Sequence, residues 1–140
     1  MKGAVAIALV ALAVVVVGCG RADYSADVSF DDVTAAFADA GLQVCSTDTS
    51  ETPPPGAVEE RAYAVDADCA TDDGRALVVA TAYESASDRD AAAQRFEVQS
   101  RPSAAGAIWT LGPFTVRVSG ERDADAVDAL TTALDDRDAR

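Results

Sequence analysis

The thiols of Cys19, Cys45 and Cys69 and four carboxylate doublets are the side chains whose type and spacing could do chemistry in this chain. The doublets are Asp31 with Asp32, Glu59 with Glu60, Asp72 with Asp73, and Asp135 with Asp136. A pair of carboxyl groups can divide acid and base work between its members. Histidine, the usual base near neutral pH, is missing from the whole sequence, which removes the ordinary Ser-His-Asp and Cys-His arrangements. No phosphate-binding glycine loop, nucleophile elbow or Cys-x-x-Cys pair stands in the sequence. The doublets also have plain structural explanations: Asp31 and Asp32 fall in the first turn of a helix, Asp135 and Asp136 in the last turn of another, and Asp72 and Asp73 in a tight turn. The stretch DADCATDDG, residues 66–74, clusters oxygen ligands in the manner of a calcium loop. It departs from that template, because Ala70 and Thr71 occupy the places of a ligand and the obligatory glycine, and no Glu closes the loop. A calcium-dependent binder or a carboxylate-based envelope enzyme is therefore the alternative reading, and no metal, cofactor or catalytic residue is expected.

The surroundings of Cys19 give that thiol a different chemistry. Residues 4–17 form an apolar run of 14 residues, whereas a bilayer-spanning helix needs about 20. The run follows Met1 and Lys2 and ends at the small residue Gly18, which is the layout of a secretory signal peptide. Val16, Val17, Gly18 and Cys19 resemble the lipobox of bacterial lipoproteins, in which aliphatic or small residues and a Gly or Ala precede an essential Cys. The resemblance implies that the Cys19 thiol takes a diacylglyceryl group, that cleavage falls between Gly18 and Cys19, and that Cys19 becomes the mature amino terminus. One lipid chain holds a protein only marginally, and two or more anchor it stably. The expected location is the outer face of the cell membrane, with the lipid anchor as the membrane contact.

With Cys19 assigned, Cys45 and Cys69 remain, and an exported compartment is oxidising enough for them to pair. Closing a loop of 24 residues contributes about 3.5 kcal/mol in the chain-entropy treatment. Two thiolates without histidine make a poor metal site. One tension follows from strand alternation, since Cys69 shares parity with Tyr63 and Val65 while Cys45 does not share parity with Leu42 and Val44. A bulge or strand end near Cys45 would resolve it.

Removal of residues 1–18 from the 140 leaves 122, one domain's length, and the loss of Lys2 leaves 10 basic side chains, all Arg, against 24 acidic ones. So acidic a surface repels phosphate backbones, which excludes nucleic acid as a partner class. Much of the apolar content is alanine, so the core must rest on a short set of larger residues: Phe30, Phe37, Val65, Leu77, Val79, Phe96, Trp109, Phe114, Val116, Leu130 and Leu134.

The elements that must position these residues follow from periodicity. Residues 19–27 form a short lipidated tether. SFDDVTAAFADAGL reads as a helix capped by Ser29 with Asp32 and stopped by Gly41. A short strand ends near Cys45, and residues 47–60, with three consecutive prolines, read as a surface loop whose Thr and Ser residues would suit glycosylation. Alternation from Arg61, the turn TDDGR and the run ALVVATAY predict a hairpin. Ser87 with Asp90 is placed to cap a second helix carrying Ala92, Phe96 and Val98 or Gln99. Two strands broken at Gly112 and Pro113 follow, then a third helix capped by Asp123 with Val127, Leu130 and Leu134 on its apolar side. The order predicts a single α+β domain over residues 28–136, a small antiparallel sheet with about three helices packed on one face, and a solvated tail at 137–140.

Across about half the chain, CATDDGRALVVATAYES, the following helix, WTLGPFTVRVSG and the closing helix resemble small secreted lipoproteins of actinobacteria with no assigned activity. Those proteins often read Asn-Trp where Phe114 and Thr115 stand here, and the resemblance brings no catalytic motif. Trp109 and Phe114 flank the Gly-Pro break, where they either fill the core or offer a contact to a partner. The sequence thus predicts a non-enzymatic interaction or accessory module of the cell envelope, with an envelope protein or a small molecule as partner.

Overall fold

Helix α1 (Phe30–Asp39) begins where Ser29, in an extended conformation, gives its backbone N–H and its hydroxyl to the Asp32 carboxylate at 2.7 and 2.9 Å. These hydrogen bonds hold the Asp32 carboxyl below its ordinary range. The helix ends as expected at Gly41, whose φ of +75° is the left-handed conformation glycine adopts without penalty. Gly41 N–H reaches Ala38 O and Leu42 N–H reaches Phe37 O, so the last carbonyls are satisfied in the paired pattern of a glycine-stopped helix. The computed structural model describes residues 24–72, 74–100, 107–119 and 125–138.

After α1 come β1 (Gln43–Thr49), β2 (Ala57–Asp66), β3 (Ala76–Tyr83), α2 (Ala86–Ser100), β4 (Ala107–Leu111), β5 (Phe114–Ser119) and α3 (Asp125–Asp138). The strands form one antiparallel sheet in the order β1-β2-β3-β5-β4. The α+β class, the antiparallel sheet and the succession of elements are those the sequence predicts.

One face of the sheet presents Tyr63, Val65, Ala76, Val78, Ala80, Trp109, Val116 and Val118 to α1 and α3. Val33, Ala36 and Phe37 of α1 and Leu130 and Leu134 of α3 complete this core. Phe37 meets Tyr63 edge-on at 5.4 Å between centroids, and Phe30 meets Phe114 at 4.7 Å. Helix α2 lies on the opposite face, which differs from the expected packing of all helices on one side. The physical reason lies in connectivity. Strands β3 and β4 both pair antiparallel with β5 and so run parallel to each other, and α2 is the crossover that joins them. A crossover must leave the plane of the sheet, and the first face is already filled by α1 and α3.

Four further expectations are corrected. The core parity of β3 falls on Ala76, Val78 and Ala80, while Leu77 is 47% exposed and Val79 half-buried, because small residues let the two helices close onto the strand. The expected loop at 47–60 contracts to residues 50–56, since Thr47, Asp48 and Thr49 pair with Tyr63, Ala62 and Arg61. As an edge strand exposed along most of its length, β1 lacks the apolar alternation that would have announced it. Ser85, not Ser87, caps α2: its hydroxyl accepts from Asp88 N–H at 3.1 Å and donates to the Asp88 carboxylate at 2.8 Å. Residues 24–27, read from the sequence as part of the tether, lie against the domain. The Tyr24 hydroxyl sits 3.0 Å from both the Tyr83 and Glu84 carbonyl oxygens, and Val28 packs against the core. The signal segment and Cys19, the Asp123 cap, Asp73 and the end of the tail lie outside the described residues.

Candidate functional site

Cys45 and Cys69 form a disulfide with their Cα atoms 5.4 Å apart. The parity tension is resolved as the sequence requires, by an irregularity in the β1 register between Val44 and Ser46, that is, at Cys45. Cys69 stands beyond the end of β2 with φ of +56°, and Arg75 Nη2 donates to its carbonyl at 2.9 Å. The bridge is structural in setting, tying the first half of the edge strand to the β2–β3 turn.

The carboxylate doublets do not assemble. Asp32 caps α1, and Asp135 accepts the Trp109 indole N–H at 2.7 Å. Glu59 and Glu60 project to opposite faces, Glu59 paired with Arg61 at 2.6 Å on the first face and Glu60 turned to the second. In the candidate calcium stretch, Asp66 accepts from Ala67 N–H and Asp68 from Ala70 N–H, as turn residues do, and Asp72 pairs with Arg75. Among the described residues no three His, Cys, Asp or Glu side chains converge to hold a metal ion. Trp109 and Phe114 are 7% and 2% exposed, so they fill the core rather than offer a surface.

A groove of about 400 Å³ lies between α2 and the second face of the sheet. Strand alternation sends Thr81 and Tyr83 of β3, Thr115 and Arg117 of β5, Ile108 of β4 and Glu60 of β2 to this face. Helix α2 supplies Ala92, Arg95, Phe96 and Gln99, at spacings of three and four, and Thr52 and Pro54 complete the lining. Of the two residues open for the end of the α2 stripe, Gln99 faces the groove and Val98 is 59% exposed.

The floor is an ordered polar network. Thr81 Oγ1 donates to Glu60 Oε2 at 2.8 Å, and Arg117 Nη2 lies 3.5 Å from the same oxygen. The Arg117 guanidinium sits 5.6 Å from the centre of the Phe96 ring, a cation–π distance. Burial pushes the Tyr83 hydroxyl upward in pKa, opposed in part by its hydrogen bond with Thr115 and by the Arg117 charge. Outside the groove, Arg89 ties α2 to the turn between β4 and β5: it is 2% exposed and donates to Gly112 O at 2.5 Å. Gly112 cannot be replaced lightly there, because its φ is +53° and a Cβ would come within 2.5 Å of the Val28 side chain.

Sequence reasoning did not single out this groove. The signal was present in the alternation of β5, where Thr115 and Arg117 oppose Phe114 and Val116, but reading it required knowing that α2 covers that side. Comparisons with known protein families, with curated proteins and with solved structures find no match for this chain.

Proposed function

We propose that this chain is a lipid-anchored protein of the bacterial cell envelope, exported to the outer face of the membrane, where it acts as a non-enzymatic interaction or accessory module. The observation that carries the reading is the sequence Val16-Val17-Gly18-Cys19 directly after a short apolar run with a basic start. Among the described residues no helix is long and apolar enough to cross a membrane; in this reading attachment is through the lipid at Cys19. The first described residue, Tyr24, is already held to the domain, and the five residues from Cys19 reach at most about 18 Å when extended. Anchored this way, the domain stays against the bilayer surface. A disulfide suits an oxidising exterior, and a groove with a polar floor gives the domain a place to receive a partner.

Mass spectrometry of the chain purified from its native envelope tests the anchor. The expected product begins at Cys19 and carries diacylglyceryl mass, and Cys19→Ala accumulates as uncleaved or mislocalised precursor. A mature amino terminus at Cys19 without acyl mass, or normal processing of Cys19→Ala, overturns the reading. Crosslinking in the intact envelope then identifies the partner.

A further inference from the structure

The groove is electrostatically out of character with the chain. The full sequence carries a net charge of −13, yet Arg95 and Arg117 face the groove against a single carboxylate, Glu60. Elsewhere Arg61, Arg75, Arg89 and Arg137 are each paired with an acid. Among the described residues Arg95 makes no ion pair, and it stands one α-helical residue from Phe96, on the same lining stripe. Glu60 is already engaged by Thr81 and Arg117, so its charge is spent within the floor. What the groove offers a ligand is therefore positive charge beside apolar walls, made by Phe96, Ile108, Ala92 and Pro54.

We propose that this groove binds a small organic carboxylate with a flat apolar body, the carboxylate between Arg95 and Arg117 and the body against Phe96 and Ile108. Guanidinium groups suit this anion because their planar donors match a carboxylate with two parallel hydrogen bonds. Screening at physiological ionic strength confines the field of the acidic surface to about 8 Å, so the two arginines in contact decide the local preference. The volume of about 400 Å³ lies in the range of small-molecule sites. The inference goes beyond the envelope reading and does not depend on the lipid anchor.

The test uses the full chain in zwitterionic phosphatidylcholine nanodiscs, with 2-naphthoate as probe, neutral 2-naphthalenemethanol as control and empty nanodiscs as blank. Naphthoate is expected to shift the amide signals of Thr81, Arg95, Gln99 and Thr115 saturably, with the alcohol binding at least about ten-fold more weakly, the size of one charge-assisted hydrogen bond. Arg95→Gln, at an exposed position, should weaken naphthoate by a similar factor while leaving the melting midpoint unchanged. Arg117→Gln should do the same, and because it also frees Glu60, Arg95→Gln is the deciding variant. Equal binding of acid and alcohol, undiminished naphthoate binding by folded Arg95→Gln, or shifts confined to residues outside the groove overturn the proposal, as does the absence of saturable shifts at millimolar naphthoate.

Discussion

On the face beneath α1 and α3, β3 presents Ala76, Val78 and Ala80 with no solvent exposure, while its alternate side chains on the face beneath α2 are Leu77, Val79 and Thr81. The neighbouring β5 repeats the contrast, with Val116 and Val118 on the first face and Thr115 and Arg117 on the second. Both faces belong to the same strands, so backbone geometry cannot explain the difference. Side-chain chemistry does: the first face buries apolar surface against two helices, and the second spends its buried positions on Thr81, Thr115 and Tyr83, which hydrogen-bond around an open groove. Apolar burial is concentrated on one side, and the other is left open as a groove.

That contrast fails or sharpens first with the phenylalanines. Phe37→Ala removes a side chain 1% exposed from the middle of the first face and should cost about 3–5 kcal/mol, by lost transfer energy and a residual cavity. Phe96→Ala, on the groove face and only half-buried, should cost no more than about 1.5 kcal/mol, a partial burial term plus its contact with Arg117. Denaturant unfolding of the two variants measures both. Equal losses would mean that the α2 side carries a core of its own.

The next effect concerns the edge that neither face protects. Strand β1 is exposed along most of its length and pairs on one side only, with β2. Reducing the Cys45–Cys69 bridge, or replacing both residues with Ser, should lower unfolding stability by roughly 2–4 kcal/mol. Hydrogen exchange should quicken first in β1, while the amides of β3 and β5, at the interior of the sheet, keep their protection. Uniform acceleration across all five strands would show that the bridge supports the whole domain rather than its edge.

Legibility in the sequence follows the same division. Helix α1, the hairpin of β2 and β3, the Gly112-Pro113 break and the amphipathic α3 were readable because their apolar periodicity or turn chemistry is local. The disulfide was readable from cysteine arithmetic, and parity called for either a bulge or a strand end near Cys45, of which the structure has the register irregularity. The parity of β3 was not readable, because ALVV offers apolar residues in both phases and only tertiary packing chooses the alanines for the crowded side. Strand β1 was cut short because an exposed edge strand has no alternation to display. The groove was invisible for a related reason: Glu60, Thr81, Arg95 and Arg117 lie on four different elements, and nothing local places a crossover helix above the polar side.

The smallest expected effect compares a single hydroxyl on each face. Tyr63 on the first face is 3% exposed, and its hydroxyl makes no hydrogen bond of ordinary geometry among the described residues, with the Arg61 guanidinium as its polar neighbour, whereas the equally buried Tyr83 on the second has the Thr115 hydroxyl as its hydrogen-bonding neighbour. A buried polar group without a partner costs its desolvation, and a satisfied one contributes about 0.5–1.5 kcal/mol. Tyr63→Phe should therefore lie between no change and a gain of about 1 kcal/mol, and Tyr83→Phe should lose about 0.5–1.5 kcal/mol. Alkaline pH gives the same comparison a second readout. Burial raises both phenols above the ordinary 10.0, opposed in part by Arg61 at Tyr63 and by Thr115 at Tyr83. The unfolded chain releases these protons first, so their contribution is intact below about pH 10 and is lost as pH rises through the folded values. Phenolate absorbance should appear late at both positions, and each Phe variant should flatten the alkaline fall in stability. A loss on Tyr63→Phe as large as that on Tyr83→Phe would show that the first face, too, holds a hydrogen-bonded phenol, and the contrast between a dry face and a polar one would then rest on α2 alone.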